Sequence, residues 1–376
     1  MATSKRKRVL FLAALAANRI GGIESYAAEL ARQLDRKGWD MTICYLTEPK
    51  GAVREFLLEP GNVTLDVMPA QEGLGLKNTL EYIKLVLRYR PDVLLYTLGG
   101  PVRLWPLLGS LLGVGRRIYY DQTSRSAARY NYRADSKVQM LMKPLTESIC
   151  ATVFVKACSD REQIVPAGKS RVIYSAVDNH RDLGDAAAFR KKYAIPVDRR
   201  IVLQTSWLVP EKGIDVALRA AKRVLAERQD LQFVFCGDGA GRDEYAAMAN
   251  ELGIADHVTW CGQVQDLSAS GAWRAAAIQI QCSQWHEAFC LSVAEGMSAG
   301  LPVVAARIGG LPELVEDGLN GFGFEPQDDG ALAAGILKLA GDEALRKRMG
   351  AAGRDRALQN HDLPKNVAAW VDVLVV

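Results

Sequence analysis

Residues 283–315 read SQWHEAFCLSVAEGMSAGLPVVAARIGGLPELV. The apolar run AIQIQ (277–281) comes just before and ends at the polar turn that opens this stretch. Glu287 falls just past that strand end, and helical spacing follows from about Leu291 to Ala299. Gly300-Leu301-Pro302 then leads into PVVAA (302–306), and Gly309-Gly310 turns the chain at its far end. A continuous apolar strand, a helix and a second continuous apolar strand are the parts of a parallel sheet covered on both faces. The first amides of such a helix, near Phe289, Cys290 and Leu291, have no partner within the helix and form an anion site. Glu295 lies one turn inside, eight positions after Glu287.

The same alternation extends outward along almost the whole chain. RVLFLAAL (8–15), MTICYL (41–46), VTLDVM (63–68), DVLLYT (92–97), RIYYD (117–121) and TVFVK (152–156) read as strands. Helical patterns near 23–37, 77–89, 103–112 and 136–149 lie between them. Residues 178–200 are polar, contain Gly and Pro, and carry one short helix, as a linker does. Strands resume at 201–206, 231–236, 257–261, 277–281 and 302–306. The reading is therefore α/β, with two doubly wound domains in series, at 1–180 and 181–362. A helix at 363–376 is expected to pack back towards the first domain. Ligands of open α/β sheets bind at the carboxyl ends of the strands, so a cleft between two facing domains is expected.

The 376 residues are 49% hydrophobic and 24% charged, ordinary values for two folded domains. Net charge is +4, unevenly spread. Residues 1–185 carry 27 Lys/Arg against 19 Asp/Glu, and residues 186–376 carry 20 against 24. A basic half beside an acidic half suggests an anionic partner for the first, against a plain solubility role for surface charge. The seven cysteines form no C-x-x-C pair and sit mostly in strand-like runs, which fits a reducing cytoplasm. Basic residues 5–8 precede an apolar run that reads as a first buried strand rather than a signal peptide. The stretch 93–115 is broken by Gly-Gly-Pro, Arg103 and Pro106, and no transmembrane helix is predicted.

The 283–315 block resembles the E-x7-E motif of the family 4 retaining glycosyltransferases. The resemblance continues through G-G-I-E (21–24), A-C-S-D (157–160), V-P-E-K-G-I-D (209–215), C-G-D-G (236–239) and E-D-G-L-N-G-F (316–322). It implies the GT-B fold of two facing Rossmann-like domains, the first binding acceptor and the second binding a nucleotide sugar. Glu295 then matches the glutamate that receives the ribose hydroxyls, a bidentate task that suits a carboxylate. Glu287 matches the glutamate beside the donor sugar. The amides of Phe289, Cys290 and Leu291 match those that receive sugar and diphosphate. Lys212 matches the lysine that neutralises the departing diphosphate. The resemblance also assigns Gly237 and Gly239 to the turn that the nucleotide approaches, Gly262 to the base, and Gly22 to a diphosphate contact. Glu24 falls on the acceptor side.

Two positions depart from the family pattern. Ser206-Trp207 stands where Gly-Arg is usual, which removes one of two expected cations and leaves Lys212 with more of the phosphate charge, Arg19 or Arg125 assisting. Asp121, Gln122 and Thr123 stand where a histidine is often found, and Gln122 is the candidate for a sugar hydroxyl. His286 adjoins Glu287, either lining the site or packed as an ordinary histidine. Residues 116–133 combine five arginines with four tyrosines. They read as a face for an anionic acceptor through Arg125, Arg129 and Tyr130, rather than for nucleic acid, with a solvated basic loop as the alternative.

The resulting expectation is a retaining, metal-independent hexosyltransferase. It would move a hexose or N-acetylhexosamine from a UDP- or GDP-sugar to a glycan or lipid-linked acceptor in cell-envelope polysaccharide or lipopolysaccharide synthesis. The chain holds no D-x-D motif, so cationic side chains and a helix terminus take a metal's place. No cofactor beyond the nucleotide-sugar co-substrate is expected. The expected location is cytoplasmic, with peripheral contact at an anionic inner membrane face. A nucleotide-sugar epimerase on the same fold and a non-catalytic sugar-nucleotide-binding subunit are the alternatives.

Overall fold

The computed structural model describes residues 6–13, 15–18, 20–68, 76–97, 104–122, 147–150 and 170–375. The expected strand 152–156, the A-C-S-D segment, Arg19, Thr123, Arg125, Arg129 and Tyr130 lie outside these residues. The chain forms two units, one of Met1–Ser175 with Leu363–Val376 and one of Ala176–Asp362.

In the first unit, β1 (Lys7–Leu12), α1 (Gly22–Arg36), β2 (Trp39–Tyr45), α2 (Gly51–Leu58) and β3 (Val63–Val67) follow in order. Then come α3 (Leu76–Tyr89), β4 (Val93–Thr97), α4 (Leu104–Leu111), β5 (Arg116–Asp121), β6 (Glu147–Cys150) and β7 (Ser170–Val172). The seven strands lie in the order β3-β2-β1-β4-β5-β6-β7, every pair parallel. Val9 to Leu12 are buried on both faces of β1, which is why that run shows no polar alternation. α1 buries Tyr26, Ala27, Leu30, Ala31 and Leu34, a single stripe at helical spacing. One expectation is corrected here. The helical pattern placed over 136–149 does not run to its end, because Glu147–Cys150 is strand β6, hydrogen-bonded to β5. Pairing with a strand on either side, β5 and β7, outweighs a local preference over four residues.

The second unit holds α5 (Ala186–Lys192), β8 (Arg200–Thr205), α6 (Ile214–Glu227), β9 (Leu231–Cys236), α7 (Arg242–Glu251) and β10 (Val258–Gly262). It continues with α8 (Ala272–Ala275), β11 (Ala276–Gln281), α9 (Leu291–Ser298), β12 (Val303–Ala306), α10 (Leu311–Leu314) and β13 (Gly321–Phe324). Helices α11 (Asp329–Gly341) and α12 (Glu343–Asn360) close it. Its six strands, again all parallel, run β10-β9-β8-β11-β12-β13. The order reverses at β8, which has β9 on one side and β11 on the other. That is the switch point of a doubly wound sheet, and ligands of such sheets collect outside the strand ends there.

The last helix, α13 (Leu363–Val375), belongs to the first unit. Its Trp370 ring meets Tyr26 of α1 and Tyr120 of β5 edge-on, at 5.4 and 4.6 Å between centroids. The second unit begins and ends side by side, since Val177 pairs with Asp362 and donates its amide to His361 at 2.9 Å.

Candidate active site

The switch point brings together the two loops that the sequence singled out. After β8 the chain makes one 3-10 turn, Pro210–Lys212, and then Gly213 adopts φ 63° before α6 begins. A Cβ on Gly213 would lie 1.9 Å from the Cys282 carbonyl oxygen, so only glycine lets this turn press against the end of β11. The Gln284 amide donates to the Glu211 carbonyl at 2.8 Å and ties the two loops together. The Gln204 side chain donates to the Lys212 carbonyl at 2.9 Å from below.

Lys212 Nζ donates to Glu287 Oε1 at 2.5 Å. The carboxylate is buried (8% exposed) and the lysine side chain is 22% exposed. Burial pulls the Lys212 ammonium down, but the Glu287 charge beside it outweighs this, and its pKa ends above the ordinary lysine value. Ser283 Oγ also donates to Glu287 Oε1, at 2.6 Å. The backbone at Glu287 is held as tightly as the side chain. Gly310 donates its amide to the Glu287 carbonyl at 2.7 Å, and a Cβ on Gly309 (φ 60°) would approach that oxygen to 2.4 Å. The turn after β12 thus seats Glu287, and Gly309 is the position in it that requires glycine.

α9 starts immediately beyond. Its N-cap, Cys290, has φ 75° and ψ 77°, a left-handed conformation that a residue with a Cβ adopts only at a cost of about 1 kcal/mol or more. Among the described residues the amides of Phe289, Cys290 and Leu291 donate to no protein acceptor. Phe289 itself is buried edge-on against His361, 5.1 Å between ring centroids. Burial and the neighbouring Glu287 charge push the Cys290 thiol up to about 12, so it is neutral at physiological pH. The site therefore sets three open amides at a helix N-terminus beside one ammonium and one carboxylate. It can receive an anion and place a cation and an acceptor group beside it. Glu295 lies half-buried within α9.

The remaining expected donor residues sit at the neighbouring strand ends, but their glycines serve the protein's own backbone. A Cβ on Gly237 (φ 146°) would lie 1.9 Å from the Ser206 carbonyl oxygen, and one on Gly239 would lie 2.6 Å from that of Leu208. Gly237 also donates its amide to Gly262 at 2.8 Å. Gly237 and Gly239 permit the loop after β8 to lie against the loop after β9. Trp207 in that loop is 54% exposed. His286 is half-buried next to Glu287.

In the first unit, Gly22 opens α1 at the carboxyl end of β1. Glu24 is buried and turns back to accept from the Gly21 amide at 3.0 Å, closing its own helix terminus. Gln122 is half-buried, its Oε1 3.4 Å from Thr97 Oγ1. What the sequence did not reveal is the polar layer beneath Glu287, namely Gln281, Ser283 and Ser292. A polar residue at every second position from Gln279 to Ser283, on a strand otherwise apolar, was the available signal. Among the described residues no three His, Cys, Asp or Glu side chains come together as a metal-holding group.

Comparison with known proteins covers both units. Residues 20–181 match the family Glycosyltransferase Family 4, and residues 185–356 match Glycosyl transferases group 1. A D-inositol 3-phosphate glycosyltransferase from Streptomyces avermitilis is 35% identical over 201 residues, which are 50% of this chain and 43% of that protein. The match spans less than half the length of that relative. Among solved structures, a glycosyltransferase from Rickettsia africae aligns with TM-score 0.81 at 19% identity, over 98% of each chain. Anabaena HepE, in complex with UDP and glucose, aligns with TM-score 0.77 at 19% identity, over 98% of this chain and 100% of that one. At such identities the likeness is one of fold, and the fold is the GT-B arrangement of two parallel-stranded, Rossmann-like units.

Proposed function

From the premise that the chain is a glycosyltransferase family 4-like protein, we propose that it is a retaining hexosyltransferase. It takes its sugar from a nucleotide diphosphate donor held at the switch point of the second unit. The observation that carries this reading is the Lys212–Glu287 pair set beside the open amides of Phe289, Cys290 and Leu291. UDP is the preferred nucleotide, GDP the second, and the UDP and glucose bound by the Anabaena protein of like fold favour the first.

In this reading the amides and Lys212 receive the diphosphate, and Glu295 receives the ribose hydroxyls. Glu287 orients a sugar hydroxyl and stabilises positive charge developing at the anomeric carbon. The bond from that carbon to the diphosphate oxygen breaks, and a bond to the acceptor oxygen forms on the same face. The departing phosphate takes the acceptor proton, and Lys212 and the helix amides neutralise what charge remains. Gly237, Gly239 and Gly262 border the donor, and no metal takes part.

The acceptor is proposed to be anionic, a phosphorylated glycan or a lipid-linked one of the cell envelope. Its partners would be Glu24, Gln122, Arg125, Arg129 and Tyr130 of the first unit. The basic balance of residues 1–185 supports this choice, as does the phosphate in the name of the Streptomyces relative. Among the described residues no helix is long and apolar enough to cross a membrane. Peripheral contact with an anionic leaflet remains part of the proposal, and equal binding to neutral and anionic vesicles would remove it. A thermal-shift screen with UDP, GDP and ADP, followed by UDP- and GDP-sugars, tests the donor. Product analysis by NMR then tests retention. A protein that no nucleotide stabilises and that consumes no sugar nucleotide would end the proposal.

A further inference from the structure

Beneath Glu287 lies a chain of hydrogen bonds whose direction chemistry fixes. A carboxylate only accepts, so the single proton of the Ser283 hydroxyl, 2.6 Å away, points at Glu287 Oε1. Ser283 then has no second proton to give, and the Gln281 side chain 2.7 Å behind it must present its amide nitrogen. That turns Gln281 Oε1 towards Ser292 at 3.4 Å, the weakest link, and Ser292 in turn lies 3.4 Å from the Cys290 sulfur. Gln281 is 1% exposed and Ser283 fully buried, so water does not compete for these partners. The neighbouring Gln279 is anchored separately, donating to the Ser292 carbonyl at 2.8 Å.

Among the described residues the Glu287 carboxylate has two partners, Lys212 and Ser283, and both meet the same oxygen, Oε1. Oε2 accepts no hydrogen bond among the described residues. The two partners differ in what they can do. Lys212 is on a flexible stem and belongs, in the donor reading, to the diphosphate. Ser283 is fixed by Gln281 and cannot follow it.

We propose that Ser283, aimed by Gln281, is the positioning residue for Glu287. It holds Oε1 in place when Lys212 moves to the diphosphate, so that Oε2 stays directed at the donor sugar. This rests on the donor reading given above. It adds a residue pair that never touches substrate yet sets where the carboxylate stands at the moment of transfer. The hydrogen bond involved is charge-assisted and buried, so its loss is felt where the carboxylate acts, about 10- to 100-fold in turnover.

The test compares Ser283→Ala, Ser283→Thr and wild type by three measurements. Steady-state consumption of UDP-glucose and the other sugar nucleotides that the wild type accepts gives kcat and KM. Calorimetry gives UDP affinity, and crystal structures of ligand-free and UDP-bound protein give the Glu287 side-chain position. The expected result is a kcat lowered about 10- to 100-fold in Ser283→Ala, with donor KM and UDP affinity within about threefold of wild type. Ser283→Thr, which keeps the hydroxyl, recovers most of the rate. Glu287 occupies one position in UDP-bound wild type and leaves it in UDP-bound Ser283→Ala. Unchanged turnover in Ser283→Ala, or a Glu287 carboxylate still ordered in place there, overturns the proposal. If the wild type consumes no sugar nucleotide, the donor reading fails, while the crystal structures still decide whether Ser283 positions Glu287.

Discussion

Lys212 and Glu287 are 75 positions apart in sequence and 2.5 Å apart in space. Each neutralises the other in a setting with little water, so removing one leaves a buried charge alone. Lys212→Met or Glu287→Gln should each lower the stability of the protein by about 3 kcal/mol. The double replacement should recover much of that loss, because two neutral groups of similar size need no partner. Urea denaturation of the three variants measures both quantities. Additive losses would show that the pair is not coupled.

The same pair gives stability a dependence on alkaline pH. Lysine titrates ordinarily at 10.5, and in the folded protein Lys212 is raised above that value. A raised pKa in the folded state means that the contribution is complete below 10.5 and is lost as pH climbs through the higher, folded value. The difference in Tm between wild type and Lys212→Met should therefore stay constant from pH 7 to about 10 and shrink above it. A difference that already shrinks below pH 9 contradicts the raised value.

Gly309 and Gly300 both have positive φ but differ in what surrounds them. Beside Gly309 a methyl group would meet the Glu287 backbone at 2.4 and 2.5 Å, and beside Gly300 it would meet nothing within 4 Å. Gly300→Ala should cost about 1 kcal/mol, the conformational term alone. Gly309→Ala should cost about 3 kcal/mol and also impair donor turnover, because Glu287 must shift. Thermal denaturation with a turnover assay separates the two.

Cys290 offers a test of the electrostatics at the helix start. With its thiol pushed up to about 12, almost none is ionised at pH 7.5. Alkylation by iodoacetamide should be about a hundredfold slower than for free cysteine, even though the residue is only half-buried. Peptide mass spectrometry of timed samples reads the rate. In Glu287→Gln, which lacks the repelling charge, labelling should quicken.

Glu295 and Lys212 are expected to divide binding from chemistry. Glu295→Ala should weaken UDP binding about 10- to 100-fold, the loss of two hydrogen bonds to a charged acceptor. Lys212→Ala should lower turnover about 100-fold or more and change UDP affinity less. Trp207→Arg, which supplies the absent cation, should raise turnover, and a chelator should leave it unaltered. Isothermal titration and a coupled UDP-release assay provide the readouts. Equal effects of Glu295→Ala and Lys212→Ala on binding would merge the two roles.

The strands were the most legible part of this sequence. Runs such as FVFC (233–236) and VLFL (9–12) are buried on both faces, and burial of that kind leaves an uninterrupted apolar signature. β6 was obscured because Glu147–Cys150 is a strand through its partners β5 and β7 rather than through its own pattern. β13 was passed over because Gly321 and Gly323 interrupt its apolar residues. Gly321 is required there, since a Cβ on it would meet the Val303 carbonyl oxygen at 2.0 Å, whereas one on Gly323 would meet only the Arg307 side chain, at 2.7 Å. At the site, Glu287, Lys212 and the α9 amides stood out through spacing and resemblance. Their ion pair did not, because nothing in a linear pattern says that two loops 75 residues apart converge. Nor did the work of Gly237 and Gly309, whose neighbours are backbone atoms of distant segments.

The return of α13 to the first unit bears on how the chain matures as it is synthesised. Residues 176–362 enter and leave their unit at adjoining points, Val177 beside Asp362, so that unit is an insertion within the other. It is fully translated before the first unit is, although it comes later in the sequence. Until Trp370 emerges from the ribosome, Tyr26 and Tyr120 lack the ring that both pack against. The half read first is thus completed only after the second unit has been made, and it waits, with an aromatic surface open, on the helix that carries Trp370.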